Sequence, residues 1–304
     1  MKIGVIGTIN RDTIKFPDGG VKRGWGGMLY NLRTLSYLIG DKADIYPACN
    51  VGADCYRPIM KILRGLPGIN TDYVNRVPEN NNHCFLTYIN TEIKHEILKS
   101  GVKPLKFSDI EPLTDCDIIL LNYISGRDIY LKSLQKFRRN FGGLIYTDIH
   151  SLTLGKKSGG RRYFRRPPNW PQVVESLDII QMNRLELSIL TEQKTDTSID
   201  SIKRQAAAFK ETLKANGISS SGKTLIVTDG SRGCYLSFNK GSKEIFHHIP
   251  PRRALRMGDA TGCGDCFSAG YITGLMRGKD PLECCKCANR AAFRRLQGRA
   301  VYRD

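Results

Sequence analysis

Residues 259–267 read Asp-Ala-Thr-Gly-Cys-Gly-Asp-Cys-Phe and continue directly into the segment SAGYITGLM at residues 268–276. Gly262 and Gly264 allow a tight turn and the close approach of a ligand to the backbone. The helix that we predict over Asp265–Met276 directs its unpaired N–H groups and the positive end of its dipole at this turn. The pattern therefore predicts an anion-binding helix N-terminus that carries a carboxylate, Asp265, in its first turn.

On the N-terminal side of this segment, short apolar runs typical of strands alternate with helical patterns, and one more helical pattern follows it. The predicted strands are Lys2–Gly7, Ala43–Ala48, Ile118–Leu121, Leu144–Asp148, Ile179–Gln181 and Thr224–Thr228. The other predicted helices are Met28–Ile39, Pro58–Arg64, Arg127–Arg139, Arg184–Leu190, Ser201–Asn216 and Pro281–Leu296. This alternation favours an α/β fold with a doubly wound, mostly parallel sheet, whose ligands bind beyond the carboxyl ends of the strands.

Two segments depart from this alternation. Residues Asp12–Gly26 are rich in glycine and turn residues, and His83–Leu98 alternates with period two around Asn90–Thr91, which predicts a hairpin. Together they are expected to form a small β-sheet lid over a site, although a surface hairpin without a function would give the same pattern. The expected organisation is one domain over residues 1–304, with lid segments near 12–26 and 83–98.

The composition is typical of a folded globular protein. Of 304 residues, 40% are hydrophobic and 9% aromatic, and no apolar run approaches the length of a membrane span. The ten cysteines are expected to be reduced, and the expected location is cytoplasmic, without a membrane partner. The net charge of +18 predicts attraction to anions such as nucleotides, sugar phosphates or acidic surfaces.

The residues alone leave two roles open for Asp265. A carboxylate at this helix N-terminus could take a proton from a hydroxyl lying beside a phosphate, as a general base does in phosphoryl transfer. The same carboxylate could instead only cap the helix, since glycine turns followed by capping acids are common.

The segment resembles the C-terminal signature D-T-x-G-A-G-D-x-F of the ribokinase (PfkB) family of sugar and nucleoside kinases. It departs from that signature at Ala260 and Cys263. The resemblance implies that Asp265 is the catalytic base and that the backbone amides of Gly262, Cys263 and Gly264 form the anion hole.

Five further segments resemble motifs of the same family in the same order: GTINRD at 7–12, GGMLYN at 26–31, NRLE at 183–186, VTDGSRGCYL at 227–236 and ANRAA at 288–292. The acceptor-binding residues that follow from the resemblance, with a strand end included, are Asn10, Asp12, Gly26, Gly27, Asn31 and Asn122. The residues implied at the ATP site are Asn183, Glu186, Thr228, Gly230, Gly233 and Asn289. Glu186 would position Mg²⁺ through water, and Asp259 would take part in a site for a monovalent cation such as K⁺.

The predicted function is transfer of the γ-phosphate of ATP to a hydroxyl of a sugar or sugar-like molecule. The bulky residues Met28–Tyr30, and Asn122 in place of the Glu usual in ribokinases, argue against ribose itself. A nucleoside acceptor is an alternative, because Phe16, Trp25 and Tyr30 could stack on a base. An alternative of another class is a non-catalytic basic protein that binds nucleotides or nucleic acid, although a nucleic-acid partner is not expected. A homodimer could form through the lid.

Four other patterns admit a functional interpretation. Residues Gly217–Thr224 match the P-loop pattern, but they follow a predicted helix and open a strand, the reverse of the required context. The pairs Cys263/Cys266 and Cys284/Cys287 have the spacing of a zinc site, although small core thiols are favoured. Cys263, at a helix N-terminus, is expected to have a lowered pKa. The basic run Lys156–Arg166 is expected to be a solvated loop, with anion contact as an alternative.

Overall fold

The structure, a computed structural model, describes residues 1–89, 94–194, 196, 198–241, 243–251 and 259–298. The helices are α1 (Met28–Ile39), α2 (Tyr56–Arg64), α3 (Phe107–Ile110), α4 (Leu131–Asn140), α5 (Trp170–Glu175), α6 (Arg184–Thr191), α7 (Ile199–Ala215), α8 (Cys263–Met276) and α9 (Pro281–Leu296). None of the described helices combines the length and the apolar character needed to cross a membrane.

The strands fall into three sheets. The first eight are β1 (Lys2–Ile6), β2 (Ile9–Lys15), β3 (Val21–Gly27), β4 (Asp44–Gly52), β5 (Val74–Val77), β6 (His83–Tyr88), β7 (Lys94–Lys99) and β8 (Ile118–Asn122). The remaining seven are β9 (Leu144–Asp148), β10 (Leu154–Lys156), β11 (Arg162–Phe164), β12 (Ile179–Asn183), β13 (Thr224–Thr228), β14 (Cys234–Lys240) and β15 (Lys243–Ile249).

The central sheet has nine strands in the order β15-β14-β13-β12-β9-β8-β1-β4-β5. The pairs from β13 through β5 are parallel, and β14 and β15 extend the sheet as an antiparallel hairpin. The predicted doubly wound, mostly parallel sheet is therefore confirmed. The carboxyl ends of β8, β9, β12 and β13 lie side by side at one edge, where ligands of such sheets bind.

Alternate residues of the central strands point into two different cores. In β8, Ile118 and Leu120 belong to one buried cluster, while Ile119 and Leu121 belong to the other. Helices α1, α2, α8 and α9 cover the first face, and α4, α5, α6 and α7 cover the second. Burial on both faces explains why these strands read as continuous apolar runs rather than as polar–apolar alternation.

The predicted second sheet is present. Strands β2 and β3 form an antiparallel hairpin, β2 pairs with β6 in parallel, and β6 pairs with β7, which gives the order β3-β2-β6-β7. We call this four-stranded sheet the lid sheet. The predicted turn at Asn90–Thr91 lies outside the described residues.

Two expectations need correction. The basic run forms the antiparallel hairpin β10–β11 instead of a solvated loop, and its Arg161 bridges to Ile97 of the lid sheet. The helix expected over Arg127–Arg139 begins only at Leu131, because the carboxylate of Asp128 accepts the N–H groups of Ser125 and Gly126 and holds a turn before the helix.

The P-loop pattern has the inverted context that the sequence predicts. Residues 217–223 lie between the end of α7 and the first residue of β13. Such a loop presents no helix N-terminus to a phosphate, so it lacks the geometry of a nucleotide-binding P-loop.

Candidate active site

Helix α8 begins in the signature turn, and its start depends on Gly262. This residue is the N-cap and has a φ of 82°, a left-handed conformation that favours glycine. A Cβ at Gly262 would also lie 2.7 Å from the ring of Tyr30. Conformation and space thus both require glycine, and the turn exposes the N-terminus of α8 toward the sheet edge.

The three predicted anion-hole amides are not equivalent. The N–H of Cys263 donates to the carbonyl oxygen of Ala260 at 3.1 Å, which closes the turn. Gly262 and Gly264 flank it, and a Cβ at Gly264 would meet the carboxylate of Asp148 only at ordinary contact distance, 3.5 Å. Gly264 is exposed, which leaves the first turn of α8 accessible to an anion.

Asp265 is held by two asparagines from other elements. Nδ2 of Asn122, at the end of β8, donates to Oδ1 of Asp265 at 2.6 Å and to Oδ1 of Asn31 at 2.8 Å. Nδ2 of Asn31 on α1 donates to the backbone oxygen of Asp265 at 2.9 Å. Both asparagines are fully buried, whereas Asp265 is only partly buried. The network therefore fixes the orientation of a carboxylate that remains accessible, and it unites three residues that the sequence assigned to one site.

Two of the asparagines that the sequence assigns to acceptor binding have a buried amide oxygen without a partner among the described residues. Oδ1 of Asn10 and Oδ1 of Asn122 make no hydrogen bond within the described part of the chain. A buried acceptor without a partner costs free energy, on the order of 1–3 kcal/mol. Hydroxyl groups of a ligand are suitable donors for both oxygens.

The hairpin β2–β3 sets the position of Asp12. Asn10 is paired with Gly26 in the hairpin, and a Cβ at Gly26 would lie only 1.8 Å from Oδ2 of Asp12. Gly27, the N-cap of α1, has a φ of 65°, and a Cβ there would lie 2.5 Å from the carbonyl oxygen of Thr8. Gly26 thus provides room for the carboxylate of Asp12 to lie against β3, and Gly27 allows the close approach of the backbone at Thr8 to the start of α1.

Asp148 and Gln181 were missed by the sequence reasoning. Asp148 ends β9 and is paired in register with Asn122 of β8 and with Gln181 of β12. Nε2 of Gln181 donates to Oδ2 of Asp148 at 2.8 Å and to the carbonyl oxygen of Gly264 at 3.3 Å. The position of Asp148 as the last residue of a predicted strand was the one signal that pointed to it.

The pKa of Asp148 is raised well above its ordinary value. Burial is the main cause, and the negative charges of Glu186 and Asp265 add to it. A divalent cation near these carboxylates would relieve their repulsion, and Mg²⁺ commonly binds through one or two carboxylates together with water and phosphate oxygens. The residues present therefore fit an Mg²⁺ held largely through water.

The N-x-x-E segment forms a capping box at the start of α6. Oδ1 of Asn183 accepts the N–H of Glu186 at 2.9 Å, and Oε2 of Glu186 accepts the N–H of Asn183 at 2.7 Å. Oε1 of Glu186 additionally accepts from Nδ2 of Asn183 at 2.6 Å. Both residues are thus fixed at the carboxyl end of β12, beside Thr228, which is paired with Asn183 in register.

The other residues assigned to the ATP site lie farther along the sheet edge. Gly230 and Gly233 have φ values of 52° and 93°. A Cβ at Gly233 would lie 2.2 Å from the carbonyl oxygen of Ile249, so a close backbone crossing explains this glycine. Asn289 lies on α9 and donates to the carbonyl oxygen of Pro250 at 3.4 Å.

Asp259 already has two cationic neighbours. Nζ of Lys22 and a guanidinium nitrogen of Arg295 each lie 3.4 Å from its Oδ2. Burial would raise the pKa of Asp259, but hydrogen bonds from Thr261 and the two positive charges hold it below its ordinary value. The protein itself therefore supplies the positive charge that a monovalent cation would bring to this carboxylate.

The expectation of a reactive Cys263 is wrong. Burial raises the pKa of its thiol to about 11, and the nearby Arg295 offsets this only in part. The four cysteines of the zinc-like spacing contact separate groups. Cys263 contacts the carbonyl of Ala292, Cys266 the hydroxyl of Thr34, Cys284 the carbonyl of Lys279, and Cys287 the guanidinium of Arg290.

Part of the chain is similar in sequence to known carbohydrate kinases. Residues 156–301 match the pfkB family of carbohydrate kinases. A ribokinase from Arabidopsis thaliana is 34% identical over 121 residues, which cover 40% of this chain and 29% of the relative. The matched segment therefore spans less than a third of that relative's length.

Solved structures match over nearly the whole chain. A pyrophosphate-dependent kinase in the ribokinase family, solved with sulfate, superposes with a TM-score of 0.77 at 15% identity, covering 98% of this chain and 95% of that one. Arabidopsis thaliana ribokinase, solved with ribose and ATP, gives 0.72 at 22% identity, covering 97% and 92%. The family match covers just under half of this chain, and the solved structures show that the chain has the fold of ribokinase-like kinases.

Proposed function

We propose that this protein transfers the γ-phosphoryl group of ATP to a hydroxyl of a sugar or sugar-like polyol, with Asp265 as the general base. The observation that supports it most is the partly exposed carboxylate of Asp265, held by Asn122 at 2.6 Å in the first turn of α8. A helix N-terminus stabilises negative charge, and a carboxylate beside it can receive the proton of an attacking hydroxyl.

In the proposed reaction, the acceptor oxygen forms a bond to the γ-phosphorus as its proton passes to Asp265. The bond from the γ-phosphorus to the bridging oxygen breaks, and ADP leaves. The N-terminus of α8 at Gly262 and Gly264 would stabilise the charge on the transferring group. When bound, Mg²⁺ neutralises charge on the donor phosphates, and Asp148 and Glu186 would hold it, Glu186 through water.

The acceptor side favours a polyol. The unpartnered oxygens of Asn10 and Asn122 and the carboxylate of Asp12 suit several hydroxyl groups. The aromatic side chains considered for a nucleoside are already packed against protein groups. Phe16 stacks on Tyr88 with ring centroids 6.0 Å apart, Trp25 lies under Arg11, and Tyr30 lies under Arg295.

Two contacts support a closing role for the lid sheet. Lys22 on β3 pairs with Asp259, and the hydroxyl of Tyr88 on β6 lies 3.0 Å from Oγ1 of Thr261. Both reach the signature turn from the lid sheet, which would exclude water from the reacting groups. We propose that residues near 12–26 and 83–98 act as this lid within a single kinase unit.

The substitution Asp265→Asn tests the base. We expect turnover to fall at least about a hundredfold, the contribution typical of general base catalysis, while binding of ATP stays nearly unchanged. Asp280→Asn is the matched control, because Asp280 caps α9 and asparagine is an equally good cap. Product release would be measured with pentoses, hexoses, polyols, sugar acids and nucleosides, with ATP or pyrophosphate as donor.

Near-normal turnover in the Asp265→Asn variant would contradict the role of this base. If turnover occurred only with pyrophosphate, pyrophosphate would replace ATP as the proposed donor, and the proposed role of Asp265 would be unaffected. No turnover with any acceptor, together with strongly salt-dependent RNA binding, would instead favour a non-catalytic binding protein.

A further inference from the structure

A cavity lies between the lid sheet and the basic hairpin β10–β11. It has a volume of about 670 Å³. Its walls come from the segment after β7, the loop before α4 and the hairpin itself. Five cationic side chains line it: Lys103, Arg127, Lys156, Arg162 and Arg165. We call it the basic cavity.

The charge of the basic cavity is one-sided. None of its lining residues, all of which belong to the described chain, is Asp or Glu. Two carboxylates pair with lining cations from outside: Glu79 lies 2.9 Å from Lys103, and Glu96 lies 3.6 Å from Arg162. Among the described residues, the other three cations (Arg127, Lys156 and Arg165) have no carboxylate partner, and such an excess of positive charge in a concave site favours an anionic ligand.

Arg162 is the buried cation of the cavity. Its side chain is only 5% exposed, and its Nε lies 3.6 Å from Oε1 of Glu96, too far for a hydrogen bond, with no other partner among the described residues. Burial lowers the pKa of this guanidinium, and the charge of Glu96 opposes that effect. At this distance Glu96 makes no hydrogen bond to the guanidinium, and a guanidinium with long contacts of 3.4–3.6 Å is suited to a stronger pairing with a bound oxyanion.

The surrounding backbone makes room for this side chain. A Cβ at Gly126 would lie 3.4 Å from a terminal nitrogen of Arg162 and 2.3 Å from the carbonyl oxygen of Ser151, and the φ of Gly126 is +79°. The other cations of the cavity, Arg127, Lys156 and Arg165, are exposed and can approach a ligand from the rim.

The basic cavity adjoins the elements of the acceptor site. Ser125 lines the cavity and is hydrogen-bonded to the carboxylate of Asp128. The same carboxylate accepts a hydrogen bond from the hydroxyl of Thr8. The carbonyl of Thr8 receives the N–H of Met28 at the start of α1. On the other side, the carbonyl of the lining residue Asn82 accepts the N–H of Arg11 on β2.

We propose that the basic cavity binds a small molecule that carries a phosphate or polyphosphate group, with Arg162 as the buried anchor. Guanidinium groups bind phosphate oxygens in a bidentate manner. Five cations are more than a ligand with a single carboxylate would require, so a more highly charged phosphate group fits the cavity better. The group belongs either to the acceptor itself or to a separate phosphorylated effector. The binding site goes beyond the proposed phosphoryl transfer and does not require it.

Binding of inorganic phosphate and pyrophosphate to the full chain, measured by calorimetry at low salt with Mg-ADP present, tests the proposal. The double variant Arg127→Ala/Arg165→Ala removes two exposed rim cations without disturbing the buried Arg162–Glu96 pair. We expect its affinity for pyrophosphate to fall at least tenfold. The control Arg139→Ala/Arg204→Ala removes the same charge from exposed positions on α4 and α7 and should retain wild-type affinity.

Equal affinities in the two double variants, or no binding by the wild-type chain, would overturn the proposal. The source of the phosphate is then decided by competition. If a phosphorylated acceptor displaces pyrophosphate from the wild-type chain but not from the Arg127→Ala/Arg165→Ala variant, the phosphate group belongs to the acceptor. Simultaneous binding of pyrophosphate and acceptor identifies a separate effector. Neither measurement depends on turnover, so a failure of the proposed kinase reaction would be seen separately.

Discussion

At the scale of single residues, Gly26 controls where Asp12 lies. A Cβ at this position would come within 1.8 Å of Oδ2 of Asp12, so the carboxylate must move if Gly26 becomes alanine. The backbone of β3 need not move, because the conflicting atom is the end of a side chain. The acceptor site should therefore change while the fold is retained.

The substitution Gly26→Ala is expected to weaken acceptor binding about ten- to a hundredfold, since hydrogen bonds to a charged group contribute about 1.5–3 kcal/mol. ATP binding should not change. Gly24→Ala is the control on the same strand, because nothing lies within 4 Å of the Cβ it would add. KM values for the acceptor that stay equal in both variants would remove Asp12 from the acceptor site.

The residues that carry a motif were the predictable ones. Asp265, Asn31 and Asn122 were assigned from sequence and meet through hydrogen bonds of 2.6–2.9 Å. Asp148 and Gln181 could not be assigned, because register across neighbouring parallel strands brings them to the site and no local pattern marks them. The raised pKa of Cys263 was not predictable for a similar reason. The helix N-terminus, which would lower the pKa, is visible in the local sequence, whereas the burial that raises it depends on tertiary packing.

At the scale of elements, the lid sheet meets the signature turn through the hydroxyl of Tyr88. The substitution Tyr88→Phe removes its hydrogen bond to Thr261, which lies 3.0 Å away. A neutral hydrogen bond contributes about 0.5–1.5 kcal/mol, so we expect the acceptor KM to rise about two- to tenfold, with little effect on the melting temperature.

Tyr37→Phe is the matched control, because Tyr37 lies exposed on α1 away from the lid sheet. Identical steady-state constants for the two variants would mean that this contact does not contribute to closure. Removing the pair between the exposed Lys22 and the partly buried Asp259 should have a smaller and salt-dependent effect.

The elements themselves were largely predictable, because strands buried on both faces and amphipathic helices carry strong periodic signals. The helices over Met28–Ile39 and Pro281–Leu296 have the predicted bounds. The hairpin β10–β11 was missed, since its sequence is polar and basic and it is ordered by contact with β7. Tertiary contact overrode a composition typical of a solvated loop.

At the scale of the whole molecule, the signature turn depends on tight packing of α8, which it opens, against α9. A Cβ at Gly270 would lie 2.8 Å from Cα of Ala288 and 2.9 Å from the carbonyl oxygen of Cys287. The substitution Gly270→Ala should destabilise the protein by about 1–3 kcal/mol through overpacking. Thermal unfolding should show a melting temperature lower by several degrees.

Gly142→Ala serves as the control, because nothing lies within 4 Å of its added Cβ. An unchanged melting temperature in the Gly270→Ala variant would show that the two helices can separate without cost. The fold class was predictable at this scale, whereas the distance between α8 and α9 was not, since it depends on which glycines face the partner helix.

The hairpin that covers β7 also limits how copies of this protein can join. Because Arg161 bridges to Ile97, part of one border of the lid sheet is already occupied by the chain itself. The other border is β3, where Val21, Lys22, Arg23 and Gly24 face solvent. Strand addition by a second molecule would therefore proceed along β3, and the adjacent positive charges of Lys22 and Arg23 discourage indiscriminate self-association there.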